Sequence, residues 1–227
     1  RNVDFGGGLE RMAMASMHTP DIIVVNHRPI LNHLEKVSGK RYGENEKETK
    51  AFRIIADHMK AAVFLIADGM HPSNTDQGYF VRRLIRRSVR YADMLGIEKN
   101  TFIEVVRPIV KMYKSAYPEM ESRTEEIEDV IAQEENRFRT TLKNGLKELE
   151  KILAGKTDKI ISGNDAFYLY ESYGFPMELT RELAMECGFS IDESGWETSL
   201  KKHQEISRAG AEKKFGGHGI TENQKSN

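Results

Sequence analysis

Two short segments carry the residue types that phosphate and nucleic-acid chemistry requires. Asp4, Gly6, Gly7, Gly8 and Arg11 place a carboxylate, a glycine loop and a guanidinium close together. A glycine loop feeding a helix exposes backbone N–H groups and lets a nucleotide approach closely. An ordinary tight turn has the same composition, so the loop alone decides nothing. Asp4 can pair with an ammonium group or cap that turn. Farther along, Arg82, Arg86 and Arg90 fall at steps of four, with Arg83 and Arg87 beside them. Gly78 to Lys111 holds eight Lys/Arg and three Asp/Glu, a local net charge of +5. Arginine's planar fork suits phosphate, so this row is a candidate backbone-binding ridge. The other reading is a solvated or salt-bridged face, paired with the acidic 119–135 segment. Just upstream, Asn74 follows Pro72 and Ser73 and offers a donor and an acceptor together, which reading a base edge requires.

The elements that must position these groups are mostly helical. Leu9 to about Met17 predicts a helix behind the glycine loop, and Ile22–Val25 is a short apolar run. Phe52, Ile55, Met59, Ala62 and Ile66 form one stripe of a helix over Lys50–Ala67. His71–Asn74 reads as a loop, and a second helix runs from about Gly78 to Leu95, stopped by Gly96. Thr101 is a candidate cap for a third, in which Pro108 predicts a kink or break. A long helix follows from about Ser122 to Ala154. Its first part holds eight acids and one Arg between Glu119 and Glu135, read as acid complementing the helix dipole. Asn164 is a candidate cap for a helix through Tyr170. Pro176 opens another through Cys187, and Glu193–Lys214 forms the last. No strand pattern is visible after residue 50.

Composition narrows the classes. The chain has 227 residues, with 34 Lys+Arg against 35 Asp+Glu, so it is not a generally basic nucleic-acid binder. A mean hydropathy of −0.57 and no long apolar run give no sign of a membrane span. The single Cys187 excludes an internal disulfide and suits a reducing, cytoplasmic setting. The histidines lack metal-ligand spacing, so no metal site is expected. His58 reads as a hydrogen-bonded packing residue.

Taken in order, several segments resemble the alanyl-tRNA synthetase family. Ile54–His58, Phe64–Gly69, Pro72–Asn74, Gly78–Tyr79 and Arg82–Arg87 look like its central block, with near-identical gaps. Phe167–Thr180 is similar to a second signature, and Gly6–Arg11 resembles the third motif of class II synthetases. The resemblance implies a mainly α chain. Residues 1–40 would be the edge of the α/β aminoacylation domain, 41–214 a helical tRNA-recognition domain, and 215–227 a linker. The family's first two motifs would lie upstream and its zinc-bearing editing domain downstream, making this a middle slice that is inactive alone.

By resemblance, Asp4 would hold the α-ammonium of alanine and Gly6–Gly8 would line the alanine and adenylate pocket. Arg11 would contact ATP as the catalytic residue. ATP and Mg2+ are the implied cofactors, and alanine and tRNA(Ala) the implied partners of an alanine–tRNA ligase. The helical domain would read a G·U wobble in the acceptor stem, whose guanine 2-amino group lacks its normal partner in the shallow minor groove. Asn74 would be the first reader. Glu171 stands where the family's second reader is an Asp, still an acceptor but one methylene longer. Arg82, Arg83, Arg86, Arg87 and Arg90 would grip flanking phosphates, which position the duplex without specifying it. The rival expectation is a non-catalytic helical module that docks a protein partner through its acidic and basic faces.

Overall fold

Side-chain caps and left-handed glycines set where the helices begin and end. A computed structural model describes residues 6–215, so Asp4 and the Gly216–Asn227 tail lie outside the described residues. Helices run α1 Leu9–Ser16, α2 Ile22–Ser38, α3 Glu46–Ala67, α4 Asp76–Met94, α5 Val106–Tyr113, α6 Glu119–Ser122 and α7 Thr124–Ala154. After α7 come β1 Ile160–Ile161, α8 Gly163–Tyr173, α9 Met177–Glu186, β2 Ser190–Ile191 and α10 Glu193–Phe215. The architecture is mainly α, as periodicity implies. The chain divides into two units, residues 1–143 and 144–227.

In the first unit α3 and α4 pack along their length. The predicted stripe of α3 is fully buried, and Val81, Ile85, Ser88, Val89 and Ala92 of α4 are buried with it. The unit's remaining core comes from Ile30, Leu31 and Leu34 of α2, Ile109 of α5, and Ile127, Ile131 and Phe138 of α7. Asn45 caps α3, its carbonyl accepting from the Glu48 amide at 3.1 Å, so the helix starts a turn before the predicted Lys50. That first turn is charged and gives no apolar signal. Gly96, at φ +76°, ends α4 as expected.

Three readings are completed or corrected. The Ile22–Val25 run opens a helix, because Asp21 accepts from the Ile23 amide at 3.0 Å and caps α2. Pro108 is the third residue of α5, where no intrahelical donor is needed, and the break instead appears upstream as the 3-10 turn Phe102–Val105. Finally, β1 and β2 pair in parallel, Ile160 with Ser190 and Ile161 with Ile191. Two-residue strands are too short to show a period of two.

The kink of α2 holds a buried imidazole. His27 has non-helical angles (φ −127°, ψ 15°) two residues before Pro29, whose ring would clash with the Val25 carbonyl in a straight helix. The side chain is 3% exposed, and neither ring nitrogen has a hydrogen-bond partner among the described residues. Burial pushes its pKa down, as does Lys60, while Asp57 and Glu10 oppose the shift; burial also lowers His33. The unfolded chain therefore takes up protons first, near pH 6.5, and stability falls as pH drops through that value. It levels off below the folded pKa. Glu135, pushed up by burial, works in the opposite direction. The urea midpoint is expected to be lower at pH 5.5 than at pH 7.5, and His27→Leu should flatten that decline. An unchanged pH dependence in the variant would remove His27 as its source.

Candidate nucleic-acid interface

The loop before α4 is folded over the helix's first turn. The Ser73 amide donates to the Gly78 carbonyl at 3.0 Å, and Ser73 Oγ donates to the Thr75 carbonyl at 2.7 Å. A Cβ on Gly78 would stand 2.5 Å from the His71 carbonyl oxygen and 2.3 Å from Ser73 Oγ, so only glycine admits this approach. Asn74 is thereby held at the surface, exposed, eight residues before Arg82, whose Nη1 donates to Asn74 Oδ1.

The arginine row is anchored from behind. Glu134 of α7 is 1% exposed, and its Oε1 lies 2.6 Å from Arg86 Nε and 3.3 Å from Arg82 Nε. The Arg86 guanidinium also lies 5.3 Å from the centre of the Phe138 ring. Arg83 stacks over Phe80 at 4.9 Å, and Arg90 lies 5.7 Å from the Tyr91 ring. Arg87 reaches His58 Nε2 at 2.7 Å, while His58 Nδ1 is 3.0 Å from Asp57 Oδ2. A guanidinium only donates, so Nε2 accepts and the ring proton goes from Nδ1 to Asp57. That hydrogen bond leads in holding the Asp57 carboxyl below its ordinary range. His58 is hydrogen-bonded, as its sequence context suggests.

The acidic 119–135 segment therefore does more than complement a dipole. Glu125 and Glu126 do lie in the first turn of α7, but Glu134 and Glu135 are well inside it and buried. Glu135 binds Arg139 at 2.8 Å and Glu128 binds Arg107 at 2.8 Å. Glu134 joins Arg82 and Arg86 into one network, the salt-bridged alternative for those two residues. Arg86 and Glu134 are 48 residues apart and share no spacing signal, so Glu134 was not legible as part of this face.

The other predicted residues lie elsewhere. Gly6, Gly7, Gly8 and Arg11 are exposed, with Gly8 at the N-cap of α1 and the Arg11 Cδ 3.4 Å from where a Gly8 Cβ would stand. Helix α1 buries no side chain, and Glu10 reaches Lys60 of α3 at 3.5 Å. Glu171 belongs to the second unit, exposed on α8, with Oε1 3.2 Å from His203 Nε2. A concavity of about 580 Å³ between α5 and the α6–α7 region is lined by Arg107, Lys111, Lys114, Glu121, Glu125 and Glu128 among others. None of the predicted site residues lines it. No group of three His, Cys, Asp or Glu placed to hold a metal occurs among the described residues. No helix among them is long and apolar enough to cross a membrane.

An exposed glycine loop thus precedes the helix α1, and the arginine helix α4 follows an exposed Asn. Residues 1–226 match the family model described as tRNA synthetases class II (A), and the chain belongs to that family. Its curated relatives include an alanine–tRNA ligase of Borrelia hermsii, 42% identical over 222 residues, covering 95% of this chain and 37% of the relative. The alanine–tRNA ligase of Borreliella afzelii is 44% identical over the same length and shares. That of Listeria welshimeri is 41% identical over 213 residues, covering 92% of the chain and 24% of the relative. The chain thus spans little more than a third of the length of the first two and about a quarter of the third.

Proposed function

We propose that the chain serves an alanine–tRNA ligase, chiefly by recognising the acceptor stem of tRNA(Ala) at its G·U wobble. The observation that carries this reading is the series Asn74–Arg82–Glu134. Buried Glu134 fixes Arg82, and Arg82 holds the Asn74 amide with its carbonyl engaged. An amide oxygen has two lone pairs. The second can accept from a guanine 2-amino group in the wide minor groove of A-form RNA. Anchored guanidiniums lose less freedom on meeting phosphate, which suits Arg83, Arg86, Arg87 and Arg90 to flanking backbone contacts. Glu171 is the second acceptor in this proposal.

The parent reaction in the proposal is ATP-dependent attachment of alanine to tRNA. ATP supplies the adenylyl group that activates the carboxyl. Gly6–Gly8 fit a nucleotide in that they are exposed and end at a helix N-cap, with the Arg11 stem lying back along Gly8. Arg11 would offset phosphoryl charge there, and Asp4 would hold the alanine ammonium. Among the described residues no three His, Cys, Asp or Glu side chains converge as ligands for Mg2+. Residues 1–40 belong in this proposal to the aminoacylation domain, 41–214 to tRNA recognition and 215–227 to a linker. The chain is taken to work in the cytoplasm and to be inactive without the remaining synthetase motifs.

The test is a titration with two acceptor-stem hairpins, one bearing G·U and one G·C, at two salt concentrations. The Arg83→Ala/Arg90→Ala variant accompanies it; Arg82 and Arg86 are avoided because Glu134 would be left without its cation. Wild type should prefer the wobble hairpin. The variant should bind both RNAs more weakly, with a salt slope shallower by about one for each phosphate it no longer neutralises. Binding no tighter than to an unrelated duplex would overturn the proposal and favour a protein-docking module.

A further inference from the structure

We infer that His203 is a positioning residue for Glu171, and that it sets how strictly the second acceptor discriminates. The inference rests on Glu171 acting as a base reader. Its geometry begins where α8 and α10 cross. A Cβ on Gly163 would stand 2.0 Å from the Gly195 carbonyl carbon and 2.1 Å from the Trp196 nitrogen, so the two backbones touch there. The parallel pairing of β1 with β2 just upstream sends both helices away in the same direction. Glu171 and His203 each lie eight residues past their crossing glycine, an equal advance of about 12 Å along either helix. The fold therefore brings these two residues level.

Side chains along the way hold that register. Ser199 Oγ donates to Asn164 Oδ1 at 2.8 Å, the Tyr170 and Trp196 rings are 6.2 Å apart, and the His203 ring lies 5.4 Å from Phe167. Asn164 thus ties α8 to α10, whereas Ser162 caps α8 by accepting from the Asp165 amide at 3.1 Å. With its ring against Phe167, His203 has Nε2 3.2 Å from Glu171 Oε1, within reach of donating to it. Both side chains are about half exposed, so the pair is reachable by a duplex laid on α8. A glutamate has one more rotatable bond than an aspartate. A donor on one oxygen restricts that freedom and leaves the other oxygen oriented to accept.

The experiment measures the ratio of G·U to G·C hairpin affinities for Glu171→Ala, His203→Ala and His203→Gln. Gln can place a donor where the imidazole Nε2 stands. Trp196 is the chain's one tryptophan, so its emission reports whether α10 remains docked on α8. His203→Ala should lower the ratio about fivefold with emission unchanged, and His203→Gln should restore most of it. If Glu171→Ala lowers the ratio but His203→Ala does not, the positioning role is overturned while base reading stands. Should Glu171→Ala leave the ratio alone, base reading by Glu171 fails and this inference with it. A ratio that falls only when Trp196 emission shifts red, without rescue by Gln, assigns His203 to packing and overturns the inference.

Discussion

Asn74→Ala is expected to cut the preference for the G·U hairpin over the G·C hairpin by about tenfold or more. Leaving a buried polar group such as the guanine amino without its hydrogen-bond partner costs about 1–3 kcal/mol, and tenfold corresponds to about 1.4 kcal/mol. Alanine removes the acceptor without touching the core, because Asn74 is exposed and the loop around it is held by Ser73 and Gly78. The wobble guanine should lose most, since its amino group has no cytosine partner to return to. Asn74→Asp separates acceptor from amide. It keeps an oxygen for Arg82 and one for the guanine, so the preference should survive, while the added negative charge weakens both RNAs. Equilibrium titration of the three proteins against both hairpins decides the matter. An unchanged affinity ratio in Asn74→Ala would take base reading away from this residue.

Local physics made the helices legible, and long-range partners kept much of the site hidden. The stripe Phe52, Ile55, Met59, Ala62 and Ile66 forms the buried face of α3, because period and burial are the same fact there. Gly96 stops α4 because a left-handed φ suits glycine. Asn74 and the arginines stand out by residue type and spacing. What makes them one device lies far off in the chain: Glu134 behind Arg82 and Arg86, His58 behind Arg87. Read in one dimension, Glu134 is another acid in an acidic run. Only the placement of α7 against α4 turns it into a buried counter-ion. The same holds for Glu171 and His203, which meet because two glycines let their helices touch eight residues earlier.

Glu134→Ala is expected to be the most damaging single substitution on this face, at about 3 kcal/mol of stability. Removing one partner of a buried ion pair leaves the remaining charge in a poorly solvating site, at about 3–5 kcal/mol. The geometry meets that condition: Glu134 is 1% exposed, and the Arg82 and Arg86 side chains are 16% and 12% exposed. Arg107–Glu128 is the contrasting case. It has the same 2.8 Å separation as Glu135–Arg139, but Arg107 is 74% exposed, and water replaces a missing partner there. Glu128→Gln should therefore leave the urea midpoint close to wild type. Glu134→Gln retains the shape and one acceptor, so it should fall between the two. It should also show the link to recognition in a protein that still folds. With the carboxylate gone, Arg82 is held less firmly, the Asn74 amide loses its fixed orientation, and the G·U preference should drop alongside a modest loss of stability. Urea unfolding and hairpin titration on the same preparations test both halves. A Glu134→Ala midpoint matching that of Glu128→Gln would mean the buried carboxylate is not what holds the arginine row, and the Asn74–Arg82–Glu134 series would lose its anchor.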